Sequence, residues 1–212
     1  MKKALLFDFD GTLLNTNDLI TETFKYVLDR EFPGQFTMED YIEFIGPSLR
    51  QTFTKIAPAR ADELIMAYRT WNEEHHDHYV QEYPGIKEGL QQLYDMGIRL
   101  VIVSSKLKAN IEHGLKLIGV DHLFDYIIGA DMVEHVKPHP EPIEKALAYL
   151  NLSKEEVMMI GDNSHDIEAA NNAGVDGVGV AWALRGETYL RQFHPTYVIE
   201  SMDELIRIVK ES

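Results

Sequence analysis

Ala4-Leu5-Leu6-Phe7 runs directly into Asp8-Phe9-Asp10-Gly11-Thr12, so a four-residue apolar run ends on two carboxylates and a glycine. An uninterrupted apolar run of that length reads as a strand buried on both faces, the pattern of a parallel sheet. In such a sheet, ligands bind in the crevice outside the carboxyl ends of the strands. Asp8 and Asp10 therefore stand where a ligand would lie. Gly11 lets the backbone turn, so that the amides around Gly11 and Thr12 can face an anion.

Working outward, further strand-length apolar runs fall at 98–103, 126–128, 157–160 and 177–180. Helical patterns separate most of them. Ile86, Leu90, Leu93 and Tyr94 share one face before Gly97; Ile111, Leu115 and Ile118 mark a second helix, and Ile143, Leu147 and Leu150 a third. Apolar residues recurring every three, four or seven positions cover a sheet with one helical stripe. Strand and helix in alternation predict an α/β fold with a doubly wound parallel sheet.

Residues 16–82 break this rhythm. They hold no convincing strand and read as several helices rich in aromatic and charged residues, with a Thr37/Asp40 cap and one long helix over 59–80. The expected organisation is a core of 1–15 and 83–212 with a helical insertion at 16–82. Ser201 and Glu204 have the spacing of a capping box that opens a last helix. His75-His76-Asp77-His78 has metal-binding residue types, but neighbouring helical positions point apart, which favours an exposed helix face.

The 212 residues suffice for one α/β core and a small accessory domain. With 35 acidic against 20 basic residues, the net charge of -15 would repel a duplex phosphate backbone, so nucleic acid is not an expected partner. A small anion is still compatible, because a bound divalent cation reverses the local potential. No cysteine is present, which removes thiolate nucleophiles and thiolate metal ligands and leaves oxygen and imidazole donors. No apolar run is long enough to span a bilayer, and no signal segment is visible, so a cytoplasmic location and no membrane partner are expected. Oligomeric state is not legible.

Three further pieces join the aspartates. Ser104 ends the run Ile98–Val103. Lys137 opens Lys-Pro-His-Pro-Glu-Pro, where prolines stiffen the entry to a helix. Gly161-Asp162-Asn163-Ser164-His165-Asp166 follows the strand at 157–160 and leads into a helix. Singly, each could be a strand-end hydroxyl, a surface charge or a solvated turn. All four pieces nevertheless fall at the carboxyl ends of expected parallel strands.

These motifs, in this order, resemble the haloacid dehalogenase superfamily in its phosphatase branch, and the resemblance spans essentially the whole chain. It implies that Asp8 attacks phosphorus to form an aspartyl-phosphate, and that Asp10 acts as general acid and then general base. It implies Mg²⁺ held by Asp8, the Asp10 carbonyl and Asp162, with Asp166 ordering metal-bound water. Ser104, Lys137 and the amides of Gly11 and Thr12 would stabilise the transferring phosphoryl group. The helical insertion occupies the place of that family's cap.

For substrate, Val103–Lys106, Gly129–Pro142, Ile160–Ile167 and Val180–Gly186 resemble the inorganic pyrophosphatases of the superfamily, and the first three are partly shared with phosphoglycolate phosphatases. A small phosphate anion, most simply pyrophosphate, is the expected substrate, with an organic monoester as the alternative and an inactive regulatory protein as a remote one. Pyrophosphate would need cations beyond Lys137. The candidates are Lys106, with Ser105 beside it, Arg185 and Arg50.

Overall fold

The computed structural model describes residues 2–212, which divide into two compact units, residues 2–14 with 82–212 and residues 15–81.

The larger unit is built on β1 (Ala4–Phe7), β4 (Arg99–Val103), β5 (Tyr126–Ile128), β6 (Val157–Gly161), β7 (Asp176–Val180) and β8 (Tyr197–Ile199). Two short segments, β2 (Leu14–Asn15) and β3 (Gln81–Glu82), pair where the chain leaves and re-enters this unit. The six long strands form one sheet in the order β5-β4-β1-β6-β7-β8, every pairing parallel. The doubly wound parallel sheet expected from the apolar runs is therefore present. The chain winds outward from β1 through β4 to β5, then returns to β6 on the opposite side of β1. That reversal makes the carboxyl end of β1 the topological switch point, the place where an open α/β sheet opens a ligand crevice.

Both faces of the sheet are covered, as a parallel sheet requires. Leu6, Val101, Val103 and Met159 pack with Ile143, Ala146, Ala169 and Ala170, from α7 (Glu141–Leu150) and α8 (Ser164–Ala173). The same unit carries α5 (Ile86–Asp95), α6 (Lys108–Leu117), α9 (Gly186–Leu190) and α10 (Met202–Glu211). At Ser201 the hydroxyl accepts from the Glu204 amide, but the Glu204 carboxylate accepts from the Glu200 amide instead of Ser201. Only half of the anticipated capping box forms.

The smaller unit holds α1 (Asn17–Glu31), α2 (Met38–Glu43), α3 (Leu49–Ile56) and α4 (Ala61–Tyr79). Thr37 and Asp40 form a complete capping box at α2. A 3₁₀ turn at Pro58–Arg60 precedes α4, so the long helix starts slightly later than the sequence suggests. The core is aromatic: Phe24 lies 4.8 Å from Tyr68, 5.2 Å from Phe44 and 5.6 Å from Phe53, centroid to centroid. His76 is buried, contrary to the exposed face expected for the histidine run, while His75 stacks on Trp71 at 4.0 Å.

Candidate active site

Asp8 is the first residue beyond β1, and its amide donates to the Ile160 carbonyl of the neighbouring strand at 2.8 Å, which fixes its place at the sheet edge. Asp162 follows β6 in the same way, and Ser104 follows β4, its amide donating to Ile128 at 3.0 Å. Three adjacent parallel strands thus end together on two carboxylates and a hydroxyl.

Lys137 comes from the segment between β5 and α7 and is buried. Its ammonium donates to the Val103 carbonyl at 2.9 Å and to Asp166 Oδ1 at 2.5 Å, and lies 3.0 Å from Asp8 Oδ1. The contact with Asp8 is an ion pair without hydrogen-bond geometry, since Asp8 Oδ1 is buried and has no hydrogen-bond partner. Burial alone would lower the Lys137 pKa, but Asp166 and Asp8 together raise it, so the residue stays charged. Asp166 Oδ2 accepts from the Asn163 amide at 3.0 Å and caps α8. Both Asp166 oxygens are therefore engaged, and its observed task is to anchor Lys137 and the start of α8.

The turn after β1 packs closely on Asp162. Gly11 has φ +78°, and a side chain there would run into the Asp162 carboxylate. The Thr12 hydroxyl donates to Asp162 Oδ1 at 3.0 Å. Gly161 is under a similar constraint, because a Cβ there would overlap Asp166. Asp10 pairs with Lys106 at 2.8 Å, and the Lys106 ammonium also lies 5.4 Å from the centre of the Phe9 ring. Ser104 Oγ accepts from the Lys106 amide at 3.3 Å, which ties the β4 turn to the same group.

The electrostatics are those of an over-charged site. Asp8, Asp10, Asp162 and Asp166 face two ammonium groups, Lys106 and Lys137. Burial, with help from Asp166 and Asp10, pushes Asp8 up to about 6 even though Lys137 pulls it down. Burial and the neighbouring Asp166 and Asp8 push Asp162 well above the ordinary carboxylate range. Carboxylate oxygens of Asp8, Asp162 and Asp166 lie within 4.8 Å of one another. Two excess negative charges and an all-oxygen donor set fit one hard divalent cation.

The remaining expected residues are distributed differently. Ser105 is half-buried in the turn after β4. Arg185 lies just before α9 with its guanidinium 4.7 Å from the Tyr189 ring centre. Arg50 belongs to α3 of the helical unit, where it pairs with Asp62 at 2.5 Å. Two participants carried no assigned role from sequence. His165 lies inside the 161–166 motif, and its pKa is lowered by burial, then by Lys137 and Arg185, so the imidazole is neutral at pH 7. Trp182 donates from Nε1 to the Thr12 carbonyl at 3.1 Å, across 170 residues of sequence. Its signals in sequence are its position just past a core strand and its place in the Val180–Gly186 stretch. A second cluster, His135, His139 and Glu141, is largely exposed and bonded within itself, with His135 Nδ1 3.1 Å from Glu141 Oε2.

A doubly wound parallel sheet that gathers buried carboxylates and one buried lysine at its switch point is a Rossmann-like core with its charged groups where such sheets bind ligands. The chain belongs to the haloacid dehalogenase-like hydrolases, whose family model matches residues 5–180. Among curated relatives it is 48% identical over 206 residues to pyrophosphatase PpaX of Anoxybacillus flavithermus, covering 97% of this chain and 96% of that one. It is 50% identical over 209 residues to pyrophosphatase PpaX of Listeria monocytogenes, covering 98% and 96%. A crystal structure from Lactobacillus plantarum, provisionally named a phosphoglycolate phosphatase, is 26% identical with a TM-score of 0.89, covering 98% of this chain and all of that one. No helix among the described residues is long and apolar enough to cross a membrane.

Proposed function

We propose that this chain is a Mg²⁺-dependent phosphohydrolase that works through an aspartyl-phosphate on Asp8 and takes inorganic pyrophosphate as its substrate. The observation that carries the reaction class is Asp8 itself: a half-buried carboxylate at the switch point whose Oδ1 lies 3.0 Å from the Lys137 ammonium. An anionic nucleophile attacks a phosphate only where charge repulsion is offset, and Lys137 is positioned to neutralise both partners. Asp10, oriented by Lys106, protonates the leaving oxygen and then takes the proton of the water that hydrolyses the acyl phosphate. The Ser104 hydroxyl and the amides of Gly11 and Thr12 bind the equatorial oxygens. Asp8, Asp162 and the Asp10 carbonyl would hold the cation, which when bound supplies charge neutralisation and Lewis-acid polarisation of a phosphoryl oxygen. Asp166 keeps Lys137 in place.

Pyrophosphate is favoured by the similarity to two PpaX pyrophosphatases along nearly the whole chain. Its leaving group is phosphate, so proton transfer from Asp10 has less to do than with an alkoxide. The second reading, a small organic monoester such as phosphoglycolate, draws on one structural fact: Lys106 is committed to Asp10 and Arg50 to Asp62, so neither stands ready for a second phosphate. Phosphate release with Mg²⁺ from pyrophosphate, phosphoglycolate and p-nitrophenyl phosphate separates the two. Pyrophosphate should show the highest kcat/KM. Preference for phosphoglycolate replaces the substrate assignment and keeps the mechanism, whereas equal turnover by Asp8→Asn removes the nucleophile.

A further inference from the structure

We infer that Trp182 is a positioning residue for the cation-binding carboxylate, acting through Thr12 on Asp162. The indole Nε1 donates to the Thr12 carbonyl at 3.1 Å, and the Thr12 hydroxyl donates to Asp162 Oδ1 at 3.0 Å. Two hydrogen bonds therefore connect a loop beyond β7 to a carboxylate at the end of β6. The link is stiff at both ends. The Ala181 amide donates to the Ile199 carbonyl at 2.8 Å, which ties the start of the Trp182 loop to β8. At the other end, Gly11 presses so closely on Asp162 that no side chain fits between them.

The indole also borders open space. Its ring meets Tyr83 at 6.4 Å and forms one wall of a cavity of about 220 Å³, lined also by Pro84, Ile86, Glu200, Ser201 and Met202. A ring beside free volume contributes little tight packing, so the Nε1 bond accounts for its placement better than core filling does. The Thr12 carbonyl it satisfies sits between the amide turn at Gly11 and the carboxylate at Asp162. Losing the N–H frees the 10–12 turn to shift, and with it the hydroxyl that orients Asp162. Groups that orient a metal-binding carboxylate typically change affinity or activity by about 10- to 100-fold when removed.

This inference rests on the proposed phosphohydrolase reading, but its decisive measurement uses no substrate. Trp182→Phe retains an apolar ring against Tyr83 and deletes the N–H together with the smaller ring of the indole. Calorimetric titration of the protein with Mg²⁺ should show an affinity weakened about 10-fold, and turnover should fall about as much in kcat with KM changed less than about two-fold. The Thr12→Val background then identifies the route. There the bond to Asp162 is already lost, so adding Trp182→Phe should weaken Mg²⁺ binding by less than a further two-fold or so. Independent, multiplicative losses in the double variant would overturn the relay. Unchanged Mg²⁺ affinity with a lower Tm would overturn it too, since that is the signature of a merely structural tryptophan. Loss of pyrophosphatase activity in the wild type with the Mg²⁺ coupling intact would refute the functional reading and leave the relay standing.

Discussion

The two units of this protein bury opposite things. The α/β unit buries charge: Lys137, Asp162 and Asp166 are each less than 10% exposed and converge at the end of one sheet. The helical unit buries rings: Phe24, Phe53, Tyr41 and Tyr68 form its core, and its buried polar side chains are neutral donors and acceptors such as Thr23 and Asn72, which bond each other at 3.1 Å. Its charged groups pair on the surface, as Arg60 does with Glu31 and Glu63. An aromatic core stabilises a fold for its own sake. A knot of like charges costs stability and is retained for what it binds.

The strongest way to test this contrast is to remove charge where it is crowded. Asp8→Asn should lower phosphate release by about 10⁴-fold or more, the scale expected for loss of a covalent nucleophile. Asp162→Asn should abolish the rise in Tm on adding Mg²⁺, while raising the Tm of the cation-free protein, because an uncompensated buried charge is gone. Differential scanning calorimetry with and without Mg²⁺ reads both effects. A cation-free Asp162→Asn protein less stable than wild type would break the comparison.

The helical unit should respond in the opposite sense. Phe24→Ala leaves a cavity among three aromatic neighbours and should cost about 3–5 kcal/mol, read by urea denaturation. Mg²⁺ at the proposed carboxylate site would not fill that cavity, so adding it should leave this loss unchanged.

A gentler probe is pH. Asp8 is raised to about 6 and Asp162 well above the ordinary carboxylate range, so both bind protons more tightly in the folded than in the unfolded chain. The sign follows from linkage: stability of the cation-free protein falls as pH rises from about 4 through 6, as Asp8 ionises in place, and Asp162 acts in the same direction. Mg²⁺ should therefore raise Tm more at pH 7.5 than at pH 5, where protons already occupy the site. A Mg²⁺ effect independent of pH would show that these carboxylates are not its ligands.

The smallest expected effect is at Arg50. Its pair with Asp62 is exposed, so Arg50→Ala should change stability by less than about 1 kcal/mol. A several-fold rise in the KM for pyrophosphate in that variant, with kcat retained, would assign the arginine to substrate binding; unchanged KM would leave it a surface ion pair.

Much of this was legible in the chain because it is local. Apolar runs announced β1, β4, β5, β6 and β7, and helical stripes announced α5, α6 and α7, since each depends on side-chain periodicity over a few residues. β8, the edge strand Tyr197–Ile199, is not among the runs read from the sequence; it ends a mostly exposed stretch with a single buried position, Ile199. His76 was misread because burial of one histidine in a run depends on which helical face meets the aromatic core, and the run itself does not show that.

Sequence by itself determined the class of fold and the chemical inventory: which strands end on carboxylates, that no thiol is available, and that Lys137 and the 161–166 motif follow the aspartates in order. Tertiary structure alone decided the pairings that turn inventory into a site. Lys106 goes to Asp10, Lys137 to Asp166, and Trp182 to Thr12, over 96, 29 and 170 residues of separation. Hydrogen bonds and ion pairs act over a few ångströms of space, and no pattern along the chain specifies which distant partner folding will bring within that range.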